Sequence, residues 1–425
     1  MNYKDAIEFI GSTYRLGSRP GLDNITRLLE LMKKPQISYK AIHAAGTNGK
    51  GSTCAFVASM LEEAGYLTGL YTSPHLERFT ERIRVSRREI GRRDVGEITG
   101  QVKRCIEIML QEGYPHPTEF EIITAIGFEY FKRRRVDYAV LEVGMGGRLD
   151  ATNVVKPEIS IITPISMDHM DALGRDPVSI AREKAGIIKK GVPVICGSQQ
   201  PEVMKTIKDI CQDKGAPLLY AGDCRIENLK PLGMGQAFDL VCQGTGFENI
   251  QTGLIGRHQA ENAALALAAG LKLGIPEQKI REGIRKTRWP GRMEVIRQHP
   301  LVLIDGAHNV EGAKALREGL KQFYPGRKVL LVFGMLRDKE VERVAGIMAP
   351  YASRVVTVPP ASPRAMGPEE LRDIVAEYNS NVLCAGSVKQ AVDEFVSAAA
   401  DEMVVFTGSL YMIGEVRRLL PPEIL

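Results

Sequence analysis

The chain has no C-x-x-C pair, no basic tail, no internal repeat and no apolar run near the ~18 residues that cross a bilayer. Each absence closes a class of reading. The seven cysteines, at 54, 105, 196, 211, 224, 242 and 384, are odd in number and lack metal-ligand spacing; reduced thiols in a cytoplasm are expected, and a zinc site is not. Without a long apolar run, no membrane partner is expected. The opening MNYKDAIEFIGSTY carries Asp5 and Glu8 where a secretion signal would be basic and then apolar, so no signal peptide is expected. Net charge is only +5 and is spread along the chain, which argues against nucleic acid. The arginines from Arg82 to Arg93 and the Lys132 to Arg135 cluster read as solvated faces.

What is present fits an ordinary globular enzyme. Its 425 residues suggest two domains, each with its own core. Short apolar runs alternate with helical patterns. KAIHAAG precedes GSTCAFVASMLEEAG, and VDYAVLEVGMGG, EISIITPIS, VPVICGS, LVLIDGAHN, KVLLVFGML, RVVTVPP and MVVFTGS follow along the chain. Such alternation predicts an α/β fold with mostly parallel sheets and chemistry at the C-terminal ends of the strands. Pro290-Gly291 breaks the helical pattern of EQKIREGIRKT. The expected division is therefore a P-loop ATPase domain over 1–295 and a smaller Rossmann-like domain over 296–425, with a site between them that could close on its substrates.

HAAGTNGKGST, His43 to Thr53, is close to a phosphate-binding loop but fails the standard pattern twice: Ala44 stands where the first glycine belongs, and Gly51 where the hydroxyl belongs. The physics survives. Glycines at 46, 49 and 51 let backbone N–H groups turn toward an anion, Lys50 supplies a mobile charge, and Ser52 and Thr53 follow at the mouth of a helix. VLEVGMGGRLDATN, residues 140–153, is a poor dinucleotide fingerprint, because the third glycine would fall at Leu149. Glu142 at a strand end suits a Mg²⁺ ligand, or else caps a neighbouring loop.

Other residues stay open on their own. In ITPISMDHMDALG, His169 stands between Asp168 and Asp171 and reads equally as structural, since imidazole is an uncommon ligand for Mg²⁺. Lys184 in IAREKAGIIKKG is by default a surface lysine; if buried, its amine could react with CO₂. His258, Gln259 and Asn262 open GRHQAENAALALAAG within reach of a base edge. Arg292 in WPGRMEV is a candidate phosphate clamp, and Asp305 and His308 in IDGAHN are either site residues or turn formers.

Ten ordered motifs, from GTNGKGST through YTSPHLERFTERI, TEFEIITA, VLEVGMGGRLDATN, ITPISMDHMDALG, EKAGIIK, GRHQAENA, WPGRMEV and DGAHN to FTGSLY, resemble dihydrofolate synthase/folylpolyglutamate synthase, a branch of the Mur ligase superfamily. The resemblance runs from about residue 20 to about residue 415 and implies an ATP-dependent amide ligase. A substrate carboxylate would attack the γ-phosphate of ATP, and the amine of L-glutamate would then displace phosphate from the acyl phosphate.

By motif, the resemblance implies that Thr47, Asn48, Gly49, Lys50, Gly51, Ser52 and Thr53 hold the phosphates and that Ser73, Glu142 and His169 ligate Mg²⁺, with two ions expected. Lys184 matches a lysine that is carbamylated in this superfamily. Asn262 would meet the adenine, Arg292 the phosphates, Asp305 and His308 the nucleotide, and Ser409 the glutamate. Lys50, His169, Lys184 and Arg292 would form the catalytic set. Thr118, Phe120, Asp150 and Ala151 would bind the pterin, with Phe120 stacked on the ring and Asp150 accepting from its N–H edge. GRLDATN, with Ala151, resembles members that accept both dihydropteroate and reduced folates, so a bifunctional enzyme is expected; a monomer is also expected. A folate-only synthase, another Mur-type ligase, a P-loop kinase or GTPase and a non-catalytic nucleotide-binding module are the alternatives. The guanine motif N-K-x-D is absent.

Overall fold

The apolar runs fold as the strands of two mostly parallel sheets. The computed structural model describes residues 1–13, 21–167, 173–174, 176–242, 244–397, 399 and 401–423. His169, with Asp168 and Asp171, lies outside the described residues. The chain divides into two units, one of Met1–Glu227, Asp239–Ile250 and Glu261–Thr287, the other of Asn228–Phe238, Gln251–Ala260 and Arg288–Leu425.

The main sheet of the first unit has eight strands among the described residues: β1 (Lys40–Ala45), β2 (Thr68–Tyr71), β3 (Ile83–Val85), β4 (Arg88–Glu89), β5 (Tyr138–Glu142), β6 (Ile159–Ile162), β7 (Val194–Cys196) and β8 (Leu218–Tyr220). Their order is β4-β3-β2-β5-β1-β6-β7-β8. β2, β5, β1, β6, β7 and β8 run parallel, and β3 and β4 return antiparallel at one edge. The central strands are buried along nearly their whole length, because helices cover both faces of a parallel sheet. The Lys50–Glu63 helix is buried from Ser52 to Leu61. It meets the Glu277–Lys286 helix where Gly283 lets the backbones approach: a Cβ there would lie 2.5 Å from the Met60 Cα, and the Ser59 hydroxyl donates to the Gly283 carbonyl at 2.8 Å.

Strands β9 (Arg225–Leu232), β10 (Gly235–Cys242) and β11 (Thr245–Thr252) form a separate three-stranded sheet. Cys224 and Cys242 are joined there as a disulfide, which corrects the expectation of reduced thiols throughout. The short connection through Gly233 folds β9 and β10 as a hairpin and sets the two cysteines 4.4 Å apart at Cα, within bonding reach. Cys54, Cys105, Cys196, Cys211 and Cys384 are free thiols.

The second unit contains β12 (Glu294–Arg297), β13 (Val302–Asp305), β14 (Val329–Phe333), β15 (Arg354–Thr357), β16 (Val382–Cys384) and β17 (Met403–Thr407), in the order β12-β13-β17-β14-β15-β16. Only β12 pairs antiparallel. Its core includes Leu303, Leu316, Leu331, Phe333, Val355 and Val405. No helix among the described residues is long and apolar enough to cross a membrane.

Candidate functional site

In the first unit the site forms where β1, β2, β5 and β6 end. β1 runs into Gly46, and Gly49 caps the Lys50–Glu63 helix at φ +85°, a left-handed conformation that favours glycine. A Cβ on Gly49 would also sit 2.2 Å from the Asn262 Oδ1, so the asparagine amide packs directly on the loop. The amide of Thr53 bonds to the Gly49 carbonyl, and the amides before it have no carbonyl one turn back; they are the donors that a helix start offers to an anion.

The rest of the loop is tied to its neighbours. The amides of Thr47 and Asn48 donate to the Pro164 carbonyl at 3.0 and 3.4 Å. The Thr47 hydroxyl donates to the Ser166 carbonyl and accepts from the Ser166 amide, at 2.9 and 3.1 Å. Thr47 therefore locks the phosphate loop to the segment after β6. Thr53 is fully buried, and its hydroxyl has no hydrogen-bond partner among the described residues.

Lys50 Nζ donates to the Gly46 and Thr47 carbonyls, 3.1 Å each. Lys184 is only 4% exposed, and its Nζ donates to the same Gly46 carbonyl at 2.8 Å. The default expectation of a surface lysine is thus corrected: the helix Pro177–Ala185 delivers this amine beneath the loop.

Glu142 ends β5, in register with Ala44 beside the loop, and is buried. Its Oε2 accepts from the Ser73 amide at 3.0 Å. A buried carboxylate at a strand end, beside the loop and the Ser73 backbone, suits a hard cation such as Mg²⁺. Among the described residues no group of three or more His, Cys, Asp or Glu is placed to hold a metal, and the third expected ligand, His169, is outside them.

Two residues past Glu142, Gly144 supports Phe120. A Cβ there would fall 2.4 Å from the Phe120 Cζ, so the ring lies against bare backbone. Tyr71 meets the same ring edge-on, centroids 6.2 Å apart. Thr118 begins the Glu119–Arg134 helix with a reciprocal cap: its hydroxyl accepts from the Glu121 amide and donates to the Glu121 carboxylate, which also accepts from the Thr118 amide. Asp150 is turned inward. Its Oδ2 accepts from the amides of Gly144 and Met145, 3.0 Å each, and its Oδ1 accepts from the amide and hydroxyl of Thr152. Burial pushes this carboxyl up despite those four donors, and a pterin edge would reach it only by displacing one of them. Ala151 follows, buried in a 3₁₀ turn.

The second unit gathers its candidates around the turn after β13. Asp305 accepts from the amides of Met293 and Ala307, 2.8 Å each; burial raises its carboxyl and the Arg292 charge opposes that rise. Arg292 Nη1 donates to the Gly291 carbonyl at 3.1 Å and lies against Gly306, where a Cβ would be 2.3 Å away. His308 Nδ1 bonds the Gly306 carbonyl at 2.7 Å. Burial and the Arg292 charge hold the His258 imidazole down at about 4. Ser409 is buried and caps the Leu410–Leu419 helix, its hydroxyl accepting from the Tyr411 amide.

Two residues escaped the sequence reading. Glu81 is buried and its carboxylate accepts from the amides of Leu76, Glu77 and Arg78, holding the loop that leaves Ser73. Arg82, expected on a solvated face, is half-buried with its Nε on the His75 Nδ1 at 2.9 Å. Neither has a spacing signal, because both act through a loop closed by strand pairing.

The chain matches the Mur ligase middle domain over residues 44–270 and the Mur ligase glutamate ligase domain over residues 291–410. It is 37% identical to the dihydrofolate synthase/folylpolyglutamate synthase of Bacillus subtilis, over 98% of this chain and 99% of that one. Its fold is similar to the folylpolyglutamate synthase of Mycobacterium tuberculosis solved with ADP and AMPPCP, with a TM-score of 0.91, 33% identity, and coverage of 98% of this chain and 99% of that one. A solved FPGS–AMPPCP–folate complex is similar at a TM-score of 0.84 and 32% identity, over 99% of this chain and all of the other. By these matches over nearly its whole length, this chain belongs to the Mur ligase family, in its dihydrofolate synthase/folylpolyglutamate synthase branch.

Proposed function

We propose that this ATP-dependent ligase adds L-glutamate both to 7,8-dihydropteroate and to the γ-carboxylate of reduced folates, giving ADP and phosphate. The observation that supports this most directly is the two-residue step from Glu142, beside the phosphate loop, to Gly144, on which the Phe120 ring rests. On this reading, an aromatic bicycle stacked on Phe120 would sit next to the transferring phosphate. The Bacillus subtilis relative, named for both activities, and Ala151 in GRLDATN support the bifunctional form.

The chemistry follows from the charges. A carboxylate is a poor electrophile, and its phosphorylation by ATP turns one oxygen into a leaving group. Two anions must approach for that step, so cations are needed around them. Lys50 leaves its loop carbonyls to meet the β- and γ-phosphates, while the amides of the helix start bind the same oxygens. Arg292 adds charge to the phosphates, Asn262 meets the base, and Asp305 and His308 contact the nucleotide. Phe120 stacks on the pterin, Thr118 and Ala151 line its pocket, and Asp150 fixes the 144–150 turn beneath it. Ser409 contacts glutamate.

Glu142 and Ser73, with His169, would hold Mg²⁺, which when bound offsets phosphate charge. A second ion and a carbamylated Lys184 belong to the same reading; the burial of the Lys184 amine against Gly46 supports a role for it at the loop.

The test is ADP release with ATP, Mg²⁺ and L-glutamate, comparing 7,8-dihydropteroate with tetrahydrofolate, with mass spectrometry of each product for an added glutamyl unit. Turnover with both acceptors is expected. Turnover with one alone would make the enzyme monofunctional, and ADP release that does not need glutamate would overturn the ligase reading.

A further inference from the structure

Arg82 makes no ion pair among the described residues; Glu119 feels its charge but stands outside pairing distance. Its neighbours in sequence are paired: Arg78 with Glu89, and Arg87 with Glu62 and Glu63. Arg82, half-buried, has no carboxylate within pairing distance among the described residues, and its one side-chain hydrogen bond runs from Nε to His75 Nδ1. Because Nδ1 accepts, the His75 ring is neutral in this contact and cannot offset the guanidinium. A half-buried cation with no directly paired carboxylate keeps the two Nη groups of its planar fork for an oxyanion.

Its position says which oxyanion. The Arg82 carbonyl accepts from the Thr72 amide at 2.9 Å, so the residue stands opposite the last step before Ser73, whose own amide rests on Glu142. In the other direction its charge acts on Tyr71, which packs on Phe120, and on Glu119, the neighbour of Phe120. Arg82 thus lies between the phosphate end and the pterin end of the site. In the reaction proposed above, the group that must occupy that interval is the acceptor's own carboxylate, on its way from the ring to the γ-phosphate.

We propose that Arg82, aimed by His75, binds the carboxylate of the acceptor substrate and orients one oxygen toward the γ-phosphate. No proton passes through it. The fork holds the carboxylate before attack and keeps a counter-charge beside the acyl phosphate afterwards. This inference rests on the placement of the pterin at Phe120.

The full-length protein and its Arg82→Ala, Arg82→Lys and Phe120→Ala variants would be titrated with 7,8-dihydropteroate and with 6-methyl-7,8-dihydropterin, which has the same ring and no carboxylate. Arg82→Ala is expected to weaken dihydropteroate binding by at least about tenfold, as loss of a charge-assisted pair does, and to leave the carboxylate-free pterin within about twofold. Arg82→Lys, which keeps the charge and loses the fork, should fall between, and guanidinium ion added to Arg82→Ala should restore part of kcat. Equal weakening of both pterins, or no weakening of either, overturns the proposal. If Phe120→Ala leaves the binding of both pterins unchanged, the pterin placement itself fails and this proposal with it.

Discussion

The imidazole of His43 and the hydroxyl of Thr152 meet at 2.8 Å in the interior of the first unit. Thr152 gives its only hydroxyl proton to Asp150, so His43 must donate through Nε2, and its bare Nδ1 has no partner among the described residues. Burial holds this histidine down to about 3. The unfolded chain takes a proton near pH 6.5, whereas the folded chain does not until about pH 3. Stability from this group is therefore complete above pH 6.5 and is lost as pH falls from there toward 3. Between pH 6.5 and 4.5 the loss should be roughly 2 to 3 kcal/mol. Urea unfolding of wild type and His43→Gln, which keeps a donor but cannot titrate, should give a steeper acid decline for the wild type; parallel declines would show that His43 contributes none of it.

Lys50→Ala should abolish turnover while the fold persists. Among the described residues the lysine amine bonds two loop carbonyls, so its removal strands no buried side chain there. Losing the phosphate charge should lower kcat by about a thousandfold or more, as loss of a transition-state contact does. Melting temperature and ADP release measured on one preparation separate the two effects. Wild-type-like activity would remove the phosphate-loop mechanism.

Phe120→Ala should weaken the pterin substrate by about ten- to a hundredfold and ATP by little. The ring lies against Gly144 and Tyr71, and its loss removes a stacking surface while leaving the loop's own backbone amides unchanged. Separate titrations with dihydropteroate and with AMPPCP would decide it. Equal weakening of both would argue against stacking.

The strands that were legible are those buried on both faces. VDYAVLEV, ISIIT and KVLLVF read as continuous apolar runs because parallel strands have helices on each side. β9, in contrast, exposes most of RIENLKPL, and a sequence without an apolar face gives no period to read. The same limit hid the Cys224–Cys242 pair, which only hairpin register brings together. At the candidate site, the turn from β1 into the Lys50–Glu63 helix was legible, because Gly46 and Gly49 permit the positive φ that both adopt. Thr47 did not reveal that its hydroxyl holds Ser166, nor Asp150 that its carboxylate holds Gly144 and Met145, since those contacts depend on segments far apart in the chain or on a turn's closure. Arg82 was misread as solvated because charge alone does not report which side of a strand end it leaves from.

Gly49→Ala should damage the loop for two separable reasons. At φ +85° an alanine pays roughly 1 to 2 kcal/mol for the left-handed backbone, and its methyl would stand 2.2 Å from the Asn262 Oδ1. Asn262 must then swing away, so both melting temperature and affinity for AMPPCP should fall. Adding Asn262→Ala removes the collision but not the backbone strain. The double variant should therefore recover part of the lost stability relative to Gly49→Ala, while AMPPCP affinity stays low because the asparagine contact is gone. Calorimetry of the two single variants and the double variant closes the cycle. Full additivity of the two substitutions would mean that Asn262 does not press on the loop, and would remove the contact on which the shape of this phosphate site is argued.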